Sequence, residues 1–188
     1  MTGIFTPVFS FLYNFISYNR KVIMPRTPRG FLDCIPDLNW PMRLILLIVC
    51  ALGVQYTAGV YFDIYFNSVT RFNDLLFREI WLFLSQLIFQ GAIVFILSRK
   101  DLADYLGNLA IVSLLGGIGL IVAHFFIQFM QFSEPVVVVL SSAGLGAALM
   151  WMFMEHARRI RVCGFPKALT WTWVLFRIAL FFVIFKPW

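Results

Sequence analysis

The chain has 188 residues and a formal net charge of +6; 61% of its residues are hydrophobic and only 13% charged. A soluble domain carries about 25% charged residues, so an ordinary water-soluble globule is excluded. The basic residues lie beside apolar runs, so the positive balance speaks of orientation in a membrane and not of nucleic-acid binding.

Met1–Tyr18 opens the chain with apolar residues at Ile4, Phe5, Val8, Phe9, Phe11, Leu12, Phe15 and Ile16. The run is short for a span, which needs about 20 residues. It lacks the basic start and small-residue cleavage site of a secretory signal. The expectation is an amphipathic helix lying at the membrane interface. A short or tilted extra span is the alternative. Asn19–Pro41 is basic and proline-rich, with Pro25, Pro28, Gly30, Pro36 and Pro41, and reads as a cytoplasmic linker. Asp33, Cys34 and Asp37 in this linker lack the partners of a catalytic constellation. Residues 1–41 thus form an N-terminal region ahead of a membrane domain at 42–188.

Five apolar segments follow: Met42–Phe62, Leu76–Leu97, Leu102–Phe126, Val136–Met154 and Ala168–Phe185. Each is long enough for a hydrocarbon core of about 30 Å at about 1.5 Å per residue. None alternates with period two, so the class expected is an all-α polytopic membrane protein with about five transmembrane helices. Eleven basic residues flank one set of alternate ends and three the other. The N-terminus is therefore expected in the cytoplasm and the C-terminus outside. Asp63, Arg71, Asp74, Arg78 and Glu79 fall in the first outer connection. Gly164 and Pro166 are expected to end the fourth helix and restart the fifth.

Cys34, Cys50 and Cys163 form no CxxC pair and no zinc-ligand spacing. His124 and His156 are expected at opposite faces, so one chain cannot supply a bis-histidine haem. No metal or cofactor is expected.

Small residues cluster on two segments. The third segment has Gly116, Gly117 and Gly119; the fourth has Ser142, Gly144, Gly146 and Ala148. Ser142/Gly146 and Gly144/Ala148 have the small-xxx-small spacing that lets helices approach closely. Gly144 and Gly146 are both expected to face the third helix, with an oligomer or partner face as the alternative.

Polar residues mark a second pattern. Gln55, Gln86, Gln90 and Arg177 fall at depths of about 10–18 Å from the inner edge, near the midplane. His124 and Gln128 lie nearer the outer surface. This layer is expected to hold no carboxylate, which would leave Arg177 unpaired within the chain. A buried cation among neutral polar groups suits an anionic headgroup, a quinone carbonyl or a partner's carboxylate. His156, Arg158, Arg159 and Arg161, in the connection after the fourth segment, could meet lipid phosphate.

Several of these residues belong to a longer pattern. Asp37, Asn39 and Arg43 enter the first segment; Tyr105, Leu106, Gly107 and Asn108 open the third. Glu155, His156, Arg158, Arg159, Gly164, Pro166, Thr170, Thr172, Trp173, Val174, Leu175 and Arg177 complete it. The stretch Asp33–Arg177 resembles a membrane region associated with bacterial DCC-type thiol-disulfide oxidoreductase proteins. That resemblance implies a helical membrane architecture. The redox domain of that family implies a vicinal cysteine motif, which this chain does not contain.

The leading expectation is a non-catalytic membrane subunit or scaffold that binds a partner membrane protein, a second copy of itself or lipid. A small transporter or lipid-handling protein using the Arg177 layer comes second, and a membrane-embedded enzyme third.

Overall fold

In the computed structural model of the protein, described for residues 5–25, 38–72 and 75–185, six α-helices follow one another. They are α1 (Phe5–Ile23), α2 (Trp40–Tyr65), α3 (Arg78–Leu97), α4 (Leu102–Met130), α5 (Glu134–Cys163) and α6 (Ala168–Ile184). A 3-10 turn, Arg99–Asp101, joins α3 to α4. Residues 26–37, with Asp33, Cys34 and Asp37, lie outside the described residues, as do Asp74 and Lys186. The fold is all-helical, as the apolar runs require.

Four helices, α2 to α5, are long and apolar enough to cross a membrane. α6 is a shorter apolar helix of 17 residues. At about 1.5 Å per residue it rises about 26 Å. α1 precedes the bundle. Its flank of Val8, Phe9, Leu12, Tyr13 and Ile16 is exposed, and Asn19 and Val22 in its last turns are buried. Asn19 Nδ2 donates to Met42 O at 3.0 Å, and Val22 is fully buried. α1 therefore docks through its C-terminal end, against the starts of α2 and α4.

Local chemistry sets the helix ends. Asn39 accepts from Met42 N at 3.1 Å and caps α2. Gly164 takes a left-handed φ of 72° and closes α5, with Phe165 N donating to Ile160 O at 3.0 Å. At the far end the loop after α2 is tied to the end of α6, where Arg71 N donates to Ile184 O at 2.6 Å.

The fourth apolar run ends at Met154, but its helix continues to Cys163 and stops at Gly164, as that glycine predicts. Between them the chain contains no glycine or proline, and Glu155 forms ion pairs with Arg158 and Arg159 at i+3 and i+4. An apolar run reports where lipid contact ends; the helix ends only where its backbone is broken.

α4 is the hub, packing against α1, α2, α3 and α5. Its glycines make this possible. A Cβ on Gly116 would collide with the Met152 side chain, and one on Gly117 with the Thr57 hydroxyl. A Cβ on Gly119 would lie 3.3 Å from the Trp151 ring. From α5, a Cβ on Gly144 would lie 2.6 Å from the Tyr61 hydroxyl, and Ala148 is buried. Gly146 departs from the expected packing: a Cβ there meets nothing within 4 Å. Ser142 is exposed and donates to its own helix at Val138 O. Gly144→Leu is expected to lower stability by about 3 kcal/mol through overpacking, whereas Gly146→Leu should leave it within about 0.5 kcal/mol. Thermal unfolding of the two variants in detergent checks this; equal losses would refute the assignment of faces.

Candidate functional site: an intramembrane cavity at Arg177

Residues on α2, α3, α4, α5 and α6 converge on a partly enclosed cavity of about 150 Å³. On α3, Glu79, Phe83 and Gln86 share one face by helical spacing. On α6, Arg177, Phe181 and Ile184 do the same. α4 contributes Ser113 and the two adjacent glycines, and α5 contributes Leu149 and Met152. The walls are mainly apolar, and the charged lining residues are Arg78, Glu79 and Arg177.

Arg177 and Gln86 meet here, as their depths suggested. The expected absence of a carboxylate is corrected. Glu79, expected in the outer connection, stands in the first turn of α3, 5% exposed, and faces the cavity. It lies seven residues before Gln86, on the same helical face, which is the signal the sequence held. Its Oε1 accepts from Arg78 Nε at 2.7 Å, and Arg78 also pairs with Asp63 at 3.1 Å. Glu79 and Arg177 attract each other, yet no salt bridge joins them among the described residues. The Arg177 guanidinium stacks over the Trp173 ring at 5.2 Å. Its Nε is buried and has no hydrogen-bond partner. Gln86 is 2% exposed, and its Nε2 is likewise unpaired.

One helical turn away, toward the end where α1 docks, lies a second polar cluster. Tyr105 Oη donates to Gln90 Oε1 at 2.8 Å. That uses its single proton, so its oxygen accepts from Nε2–H of His156 at 3.3 Å. Thr172 Oγ1 lies 3.3 Å from the same Gln90 oxygen. The His156 ring stacks on Trp173, with centroids 5.4 Å apart and planes at 20°. Gln90 Nε2, His156 Nδ1 and Trp173 Nε1 are buried and unpaired. Five of the seven such atoms among the described residues therefore lie on α3, α5 and α6 around this seam. Four of the five are N–H donors, so the seam offers protons and lacks acceptors. Tyr105→Phe would strand His156 Nε2 and halve the bonding of Gln90. A loss of about 1–3 kcal/mol is expected, read as a lower unfolding temperature; an unchanged one would refute the network.

The other predicted residues lie elsewhere. Gln55 Oε1 accepts from Ile80 N at 3.2 Å, capping the start of α3 away from Arg177. His124 Nδ1 meets the Tyr65 hydroxyl at 3.2 Å, and Gln128 Nε2 donates to that hydroxyl at 3.4 Å. His124 lies about 28 Å along α4 from Tyr105, the partner of His156, so the two histidines sit in separate clusters. Among the described residues no group of three or more His, Cys, Asp or Glu side chains could hold a metal ion.

The basic group after Met154 is divided by the continued helix. Arg158 and Arg161 are exposed, and both ends of the Glu155 carboxylate accept from Arg158 at 2.7 Å. His156 and Arg159 face inward, 2% and 3% exposed, so neither reaches a lipid headgroup. Arg159 instead serves α1. Its guanidinium donates to Val22 O, to Ile23 O at 3.2 Å, to Asn108 Oδ1 at 2.9 Å and to Glu155 Oε1 at 2.7 Å. Beside it Asp104 pairs with Lys21 and, at 3.3 Å, with Arg43. A Cβ on Gly107 would strike the Arg43 side chain, so the glycine makes room for this crossing. Two arginines of one chain thus have opposite surroundings: Arg159 has four acceptors, and Arg177 has none among the described residues.

No family model, curated protein or solved structure matches the chain.

Proposed function

We propose that this multi-pass membrane protein binds a small amphiphile inside the bilayer, with an oxygen-bearing head at Arg177 and Gln86 and an apolar body along the cavity wall. The observation that carries this reading is the pair of buried, unpaired donors, Arg177 Nε and Gln86 Nε2, in one mainly apolar cavity. Arg177 is half-buried, and burying its Nε without an acceptor costs free energy that a leucine would avoid. A ligand's oxygen atoms would satisfy those donors. The chemistry needed is retention and release, with no covalent step. Native mass spectrometry from gentle detergent tests it. The wild type should carry a small-molecule adduct, and the Arg177→Gln variant should lack it. A ligand-free wild type that remains folded would sink the reading.

A second reading, a subunit of a membrane complex, is favoured by the outward face of α5. Ser142, Gly146, Val138 and Val139 are exposed there, and Gly146 leaves a notch in that face. Under this reading Gly146→Leu removes a co-purifying membrane protein without unfolding the chain. Retention of the same partners by that variant would dismiss it.

The orientation proposed is an N-terminus in the cytoplasm of a bacterial cell, supported by the distribution of basic residues. Impermeant thiol reagents on intact cells should label Ser133→Cys and spare Arg161→Cys. The reverse pattern would invert the topology.

A further inference from the structure

We infer that the ligand is a single-chain monocarboxylate, which enters sideways from the bilayer between α5 and α6. This deepens the amphiphile reading above and rests on it. The head group follows from charge and size. The charged residues lining the cavity are Arg78, Glu79 and Arg177; Asp63, which pairs with Arg78 at 3.1 Å, lies outside the lining and is 66% exposed on its side chain. Arg78 and Glu79 neutralise each other through their 2.7 Å ion pair. Arg177 feels Glu79 but makes no salt bridge among the described residues, and a monoanion supplies that contact. A dianion would bring excess charge close to Glu79 in a medium of low dielectric. The donors agree with this choice. Arg177 Nε–H and the Gln86 amide are unpaired, and Gln86 is a polar side chain 2% exposed that lines the cavity. The two oxygens of a carboxylate can accept from both. A volume of about 150 Å³ is that of a cavity known to take a molecule such as benzene. A carboxylate with a few methylenes fits it; a phosphodiester with its glycerol does not.

The portal follows from residues that both line the cavity and reach the surface. Leu149 on α5 is 37% exposed and Phe181 on α6 is 51% exposed. Both lie on apolar outer faces where a membrane protein meets lipid. From Arg177 the wall continues through Phe181 and Ile184 on α6 and Leu145 on α5. A chain anchored at Arg177 therefore leaves between these two helices, and the part beyond the cavity lies in lipid. The remainder of the tail needs no pocket of its own.

The test uses the full chain in nanodiscs, with three probes of one chain length: dodecanoate, dodecanol and methyl dodecanoate. Dodecanoate should bind at least about ten-fold more tightly than either neutral probe. That preference should vanish in Arg177→Gln. Gln86→Leu keeps the charge and removes one donor, and should weaken dodecanoate about five-fold. Dodecanoate carrying a terminal diazirine should photolabel peptides around Leu149 and Phe181. Equal binding of the three probes would overturn the carboxylate assignment and leave the amphiphile reading standing. Failure of all three to bind would overturn both. Tight binding with photolabelling confined to helices other than α5 and α6 would overturn the portal.

Discussion

Arg177→Leu is expected to yield a protein that is as stable as the wild type or more so, and that no longer retains its ligand. The direction follows from what surrounds the side chain. Arg177 stacks on Trp173 and feels Glu79, but its buried Nε has no acceptor. The side chain is half-buried with its Nε buried and unpaired, so a leucine there releases a desolvation cost, and the change is expected to be neutral or stabilising. Glu79 does not lose its main partner, because Arg78 Nε still holds it at 2.7 Å. Chains retain such destabilising residues where they serve a function. Unfolding temperature and adduct retention should therefore move apart: the first unchanged or raised, the second lost. A marked fall in unfolding temperature would make Arg177 a structural residue and remove the basis of the ligand site.

The helices are legible because each apolar run is long and carries few charges, and because Gly164 and Pro166 mark an end by chemistry that needs no tertiary context. The faces were less legible. Gly144 and Gly146 belong to the same small-residue pattern, yet two residues on a helix are about 200° apart, so only one of them can meet α4. Arg158 and Arg159 are neighbours on a helix that Gly164 ends, and which of them faces inward depends on how α5 packs, which composition does not reveal. Glu79 was assigned to a connection because charge near the end of an apolar run reads as surface. It faces inward from the first turn of α3, just after Phe77, which adopts a left-handed φ of 61°. Depth did identify Gln86 beside Arg177. Depth alone could not separate Gln90, one turn away, which Tyr105 and Thr172 draw into another cluster.

The second large effect is expected at Arg159, and it runs opposite to the first. Arg159→Met should destabilise the protein by about 3–5 kcal/mol, the cost of leaving the partners of a buried charge stranded. Those partners are specific. Val22 O and Ile23 O are carbonyls at the end of α1, which have no intrahelical donor once their helix stops. Asn108 Oδ1 and one oxygen of Glu155 complete the set. A guanidinium suits this place because its donors fan out in one plane and reach two helices and a helix terminus at once. The effect should be local before it is global. α1 is held at this end by Arg159, by Asn19 on Met42 O and by the exposed pair of Lys21 with Asp104, while much of its remaining surface is exposed. Amide hydrogen exchange in Phe15–Ile23 should therefore rise in Arg159→Met more than in α4 or α5. Arg158→Met is the control. That side chain is 48% exposed, and its bidentate pairing with Glu155 should be worth no more than about 1 kcal/mol. If both variants lost the same stability, with exchange raised evenly along the chain, Arg159 would not be what holds α1 to the bundle.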